Sequence, residues 1–192
     1  LEAMQEQSVT YDGVTHTLPD PFVTFATQNP IEQEGTYPLP LAQLDRFMFK
    51  VIVDYPAQGE EHRVLSEHHA TGGRSDPARM NVQPVLNQAD IIAARQEIRQ
   101  THVRDEVVDY VCRLLRATRE DDSLAVGASP RSGLMLLMGA KSLARFAGRD
   151  YVTPDDVKHA LLPAMRHRVV LSPSAELEGA TNDEVLANLL EA

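Results

Sequence analysis

Cysteine is nearly absent from this sequence: Cys112 stands alone, which excludes an internal disulfide framework and suits a reducing compartment. It falls in the apolar-periodic segment Val107 to Leu115, where burial as a small apolar residue is expected. Basic charge is also short, with 18 Lys and Arg against 28 Asp and Glu and a net charge of −10. Such a surface is not built to neutralise phosphate backbones, so nucleic acid is excluded as a primary partner. No apolar run approaches the ~20 residues that span a bilayer, and the first residues lack the charged-then-apolar layout of a secretory leader. Cytoplasmic residence is therefore expected. Also missing are a Gly-x-x-x-x-Gly-Lys-Ser/Thr run and an apolar strand ending in paired acids.

What is present supports folding, since 43% of the 192 residues are hydrophobic, enough for one or two modest domains with real cores. The opening residues Leu1 to Gln7 read as the end of a helix already under way, without a cap, so the chain is expected to be cut there. Val9 to Leu18 alternates about Asp12-Gly13, a pair that supplies the positive φ angles of a tight β-hairpin. Phe22 to Ala26 is short, β-favouring and apolar apart from Thr24, and it breaks into Thr27-Gln28-Asn29-Pro30. It is expected to be an interior strand with Asn29 at its carboxyl end, the end at which ligands sit in open α/β sheets. A Gly- and Pro-broken loop follows, then Leu41 to Phe47, then a second apolar run from Met48 to Val53 expected in the sheet. Arg46 thus falls between two sheet segments.

The pattern changes at Asp54 to Gly59, where a domain boundary is expected, giving an α/β part over residues 1–56 and a helical part over 57–192. Glu60 to His69 reads as a polar helix with Val64 and Leu65 on one face, and Thr71 to Pro77 as a disordered loop. Asn87 can cap a helix with Ile91, Ala94 and Ile98 at helical spacing, and Val107, Val111, Leu114, Leu115 and Thr118 repeat that spacing one helix later. Ser129-Pro130 starts another helix, with Arg131 in its first turn and Leu134, Leu137, Met138 and Leu143 as its expected core. Thr153-Pro154-Asp155-Asp156 starts the next, with Val157, Ala160, Leu161, Ala164 and Met165 buried. Thr181 to Glu184 is a further capping box, opening a helix through Val185, Leu186, Leu189 and Leu190.

Ala26-Thr27-Gln28-Asn29-Pro30-Ile31-Glu32-Gln33-Glu34-Gly35-Thr36-Tyr37-Pro38-Leu39-Pro40, then Ala42-Gln43-Leu44-Asp45-Arg46-Phe47, then Gly127-Ala128-Ser129-Pro130-Arg131, resemble in content and order the MoxR family of AAA+ ATPases. The resemblance implies the last part of a P-loop α/β nucleotide domain with a hairpin before its sensor strand, followed by a helical lid. It implies ATP and Mg2+ as cofactors, held mainly by segments upstream of this chain, so the chain alone is expected to be inactive. It further implies a homo-oligomeric ring, six-membered by expectation. The work of that ring would be chaperone-like remodelling of a partner, by family analogy a protein with a von Willebrand factor A domain.

Three residues acquire roles from the resemblance. Asn29 would orient the attacking water, although on the residues alone an Asx-type turn before Pro30 is favoured. Arg46 would be the arginine finger, a permanent planar cation acting on a neighbouring subunit's site; the competing reading is an intrachain pair with Asp45 or another surface acid. Arg131 would be the second sensor, reaching the γ-phosphate from a helix amino terminus where a cation opposes the helix dipole. Leu41 departs from the family, in which an acid is expected, and leaves any polar interface role at that position in doubt. His62, His68 and His69 lack a closed ligand spacing, Glu32 and Glu34 read as a solvated acidic loop, and Asp121-Asp122 and Asp155-Asp156 read as turn and cap chemistry. Two rivals stay open: a related chelatase-type ring ATPase, and a helical interaction module that works without nucleotide.

Overall fold

The structure is a computed structural model that describes residues 2–28, 39–70 and 82–191. Asn29, Glu32, Glu34 and the loop from Thr71 to Pro77 lie outside the described residues. A short helix α1 (Glu2–Gln5) precedes the antiparallel hairpin of β1 (Ser8–Tyr11) and β2 (Val14–Thr17). Asp12 and Gly13 at its tip both have positive φ, as the sequence demands of that turn. α2 (Leu41–Leu44) is a single turn, and α3 (Gln58–Ala70) buries no residue.

The core belongs to the second half. α4 (Gln88–Gln100), α5 (Asp105–Glu120), α6 (Pro130–Phe146), α7 (Pro154–Met165) and α9 (Asn182–Glu191) are joined by the small β3 (Leu124–Val126) and β4 (Val170–Leu171) pair and by α8 (Pro173–Leu177). The caps explain the boundaries. Asn87 accepts from the Asp90 amide while Asp90 accepts from the Asn87 amide, and Ser129 and Ser132 do the same for α6. α5 buries Val107, Val111, Leu114, Leu115 and Thr118, the stripe its period predicts. α7 buries Val157, Ala160, Leu161, Ala164 and Met165, again as expected, with Asp156 added.

Asp156 is buried because it closes the cap of α7 and accepts both Thr153 groups, at 2.8 Å each, as well as two bonds from Arg149 at 2.8 and 2.6 Å. The Arg149 hydrogen bonds, opposed by desolvation and helped by Thr153, hold its carboxyl down at about 2.

Four expectations are corrected. Phe22 to Ala26 forms no strand, and Phe25 is 91% exposed, because no described segment takes the backbone bonds of these residues. Met48 to Val53 also forms no strand: its first residues spend their backbone bonds on the end of α7 and the residues after it, through Lys50 N to Pro163 O and Arg168 to Met48 O, and Val53 is 88% exposed. Cys112 is exposed: it follows the buried Val111, and one residue along a helix turns the side chain ~100° away from the core. On α6 the buried face is Ser132, Gly133, Leu136, Gly139, Ala140 and Ala144, whereas Leu134 is 66% exposed and Met138 is also exposed. Leu137 and Leu143 are half-buried at the margin of the core. Small residues face inward there because neighbours come close: a Cβ on Gly139 would meet the Phe49 ring at 2.9 Å and the Ala160 methyl at 3.3 Å.

Candidate functional site

The turn after α2 is where the two halves meet. Asp45 ends α2, and the backbone tightens through Arg46 N to Gln43 O at 3.3 Å and Phe47 N to Leu44 O at 3.0 Å. Residues just beyond α7 hold this turn. Lys50 N donates to Pro163 O at 2.8 Å, His167 Nε2 lies 2.9 Å from Phe47 O, and Arg166 Nη1 donates to Lys50 O at 3.4 Å. Arg166 is itself oriented by Asp183, with Nε to Oδ1 at 3.0 Å and Nη2 to Oδ2 at 2.9 Å.

Arg168 lies deepest, its side chain 1% exposed. Nε donates to Asp45 Oδ1 at 2.8 Å, Nη2 to Asp45 O at 2.9 Å and Phe47 O at 2.6 Å, and Nη1 to Met48 O at 3.0 Å and to Ala164 O. Burial pushes its pKa down, the Asp45 carboxylate pushes it up, and the nearby charge of Arg131 pushes it down again. A guanidinium nonetheless stays charged in a protein, so the full set of acceptors is what makes this burial tolerable. The second carboxylate oxygen of Asp45 accepts from Ser129 Oγ at 3.4 Å, and Ser129 caps α6.

His167 is buried against the same turn. Its Nε2 faces a carbonyl and so carries the proton, which leaves Nδ1 bare, buried and without a partner among the described residues. Desolvation lowers its pKa, the Phe47 carbonyl opposes that, and the charges of Arg168 and Lys50 add to the lowering.

Against this closed clamp the two predicted cations are open. Arg46 is half-buried, and its Nε and Nη1 are shielded from solvent with no hydrogen-bond partner among the described residues. The competing pair with Asp45 does not form, because Arg168 and Ser129 take that carboxylate. Arg131 is exposed in the first turn of α6 and makes no hydrogen bond or ion pair with any described residue. Its loop is anchored by Ala128 N donating to Thr118 Oγ1 at 2.9 Å and Arg119 Nε donating to Ala128 O at 2.8 Å. The turn and the start of α6 are thus tied together, while Asn29 lies outside the described residues.

Sequence reasoning missed Arg168, His167 and the engagement of Asp45. A signal existed: Arg166-His167-Arg168 is a basic triplet directly after a buried helix, where charge needs a partner. The histidines set aside earlier, His62, His68 and His69, sit on the exposed α3, and among the described residues no group of three or more His, Cys, Asp or Glu could hold a metal ion. No helix among the described residues is long and apolar enough to cross a membrane.

Residues 1–49 match the family described as the ATPase family associated with various cellular activities (AAA), and residues 116–189 match the AAA lid domain. Among curated relatives, the chain is 40% identical over its whole length to the uncharacterized protein YeaC of Bacillus subtilis, of which it covers 58%. It is 38% identical, again over its whole length, to the chaperone MoxR1 of Mycobacterium tuberculosis, of which it covers 51%. A solved structure from Cytophaga hutchinsonii, of a protein assigned as an ATPase, superposes with a TM-score of 0.87 at 35% identity, covering 99% of this chain and 59% of that one. The chain spans between half and three-fifths of the length of these proteins. In motif order, in the matched core and lid segments and in these relatives together, the chain resembles the MoxR-type AAA+ ATPases.

Proposed function

We propose that this chain supplies the charge-stabilising half of an ATP-hydrolysing site in an oligomeric ring, and that the ring remodels or assembles a partner protein. The observation that carries this reading is Arg46, whose buried donors have no partner among the described residues although an aspartate adjoins it in sequence. Buried donors without acceptors cost roughly 1–3 kcal/mol each, so a native fold keeps them where an anion completes the set. In this reading Arg46 approaches a neighbouring subunit's triphosphate, where a planar, permanent cation matches the charge that develops on the transferring phosphoryl group. Arg131, free at the start of α6, takes the γ-phosphate end, and Asn29 orients the water. Bound ATP with Mg2+ supplies the phosphoryl group; the residues described here fit the phosphate end of that ligand and offer no carboxylate set for its metal. Positive groups without a cradle agree with the absence of a phosphate-loop motif from the sequence, so the 192-residue chain by itself is proposed to be inactive.

Remodelling as the output rests on the likeness to a protein named as a chaperone, and the exposed β1–β2 hairpin is a surface available for contact. A von Willebrand factor A domain protein remains the proposed client, by resemblance. The test is ATP turnover by a form of the protein that includes a phosphate-binding loop. Arg46→Ala is expected to lower kcat by about 10³-fold or more, in line with arginine fingers elsewhere. Unchanged turnover would reject the assignment.

A further inference from the structure

All five N–H donors of Arg168 are engaged, and the acceptors have a pattern. The Asp45 carboxylate takes one, the backbone carbonyls of Asp45, Phe47 and Met48 take three, and Ala164 O on α7 takes the fifth. Asp45 and Phe47 are the two neighbours of Arg46, so one guanidinium grips the backbone on both sides of that residue without touching its side chain. The other oxygen of Asp45 accepts from Ser129 Oγ at 3.4 Å, two residues before Arg131. Elsewhere in the bundle a comparable pair, Arg149 and Asp156, closes only its own helix cap.

We propose that Arg168 is a positioning residue for hydrolysis: it fixes the turn that carries Arg46 and, through Asp45 and Ser129, locks that turn to the helix start that carries Arg131, so that both cations are presented as one unit. This rests on the nucleotide reading above. A buried ion pair kept only for stability would need the carboxylate, not three carbonyls of the turn around an arginine that has no partner among the described residues. The geometry also requires arginine in particular, because a lysine has the charge but neither the planar fork nor five donors.

The experiment compares Arg168→Lys, Arg46→Ala and Arg149→Lys in the loop-containing form, with kcat and KM for ATP and the thermal midpoint of each. Arg168→Lys is expected to lower kcat roughly 10- to 100-fold, the scale of a misplacement near 1 Å, with KM for ATP changed little. Arg149→Lys should lose thermal stability and keep kcat. Should Arg168→Lys fail to fold, Asp45→Asn keeps the shape of the carboxylate while weakening its hold, and the same split of kcat from KM is expected. A folded Arg168→Lys or Asp45→Asn with full kcat, or a loss that Arg149→Lys reproduces, would overturn the proposal. Where Arg46→Ala loses turnover and Arg168→Lys does not, the positioning role alone fails; where Arg46→Ala keeps turnover, the nucleotide reading fails and takes this inference with it.

Discussion

The helical bundle between His102 and Leu190 and the irregular stretches before it hold similar apolar side chains in opposite settings. Leu161 is 2% exposed among α5, α6, α7 and α9, whereas Phe25 and Val53 stand 91% and 88% exposed on backbone that pairs with no described segment. Sequence apolarity is therefore a demand for a partner surface, and the bundle meets it internally while the α/β stretches do not. The turn from Leu41 to Lys50 is the exception in the first half. Beyond its own local backbone bonds, it is held by Arg168, His167 and Lys50 bonding across to and from the bundle.

This contrast can be broken at its strong end first. Leu161→Ala in the 192-residue chain is expected to cost about 2–5 kcal/mol in denaturant unfolding, the cost of a cavity in a packed core. A loss under 1 kcal/mol would mean that the bundle is not the folding unit. Acid sharpens the comparison next, because the low pKa of Asp156 belongs to the bundle and not to the irregular stretches. Its folded value of about 2 lies below its ordinary 3.8, so the native state binds fewer protons than the unfolded chain in that window. The stability it contributes is complete above the ordinary value and is lost as pH falls toward about 2. Asp156→Asn should flatten that limb of the stability profile, and an unaltered slope would remove Asp156 from the account. The smallest effect is expected at Phe25→Ser, within about 0.5 kcal/mol, as for surface positions generally. A larger loss would show that Phe25 has a partner surface in solution.

The same contrast decides what was legible in the sequence. α5 and α7 could be read residue by residue, because each has one apolar stripe, and α7 also begins with a capping box. α6 misled because it is apolar on several faces. Its inner face was chosen by how closely helices approach, which favours Gly139 and Ala140 over Leu134 and Met138. The predicted strands could be recognised as apolar runs but not as paired, since pairing depends on distant chain. At the site, the motifs pointed to Arg46 and Arg131, both of which emerge without carboxylate partners among the described residues. For Arg168 the basic triplet signalled only a need for partners; the acceptors that give it meaning are mostly backbone carbonyls, which have no side-chain signature. Asp45 looked like a local partner for Arg46 and instead reaches across to the bundle.

ATP turnover in mixed assemblies tests the central claim most directly, because a finger and the site it serves would then belong to different subunits. Subunits carrying Arg46→Ala but an intact phosphate loop, mixed with subunits whose phosphate loop is disabled but whose Arg46 is intact, should hydrolyse ATP although neither population does so alone. Mixtures as inactive as their components, under conditions where the subunits co-assemble, would contradict the assignment of Arg46 to a neighbour's triphosphate.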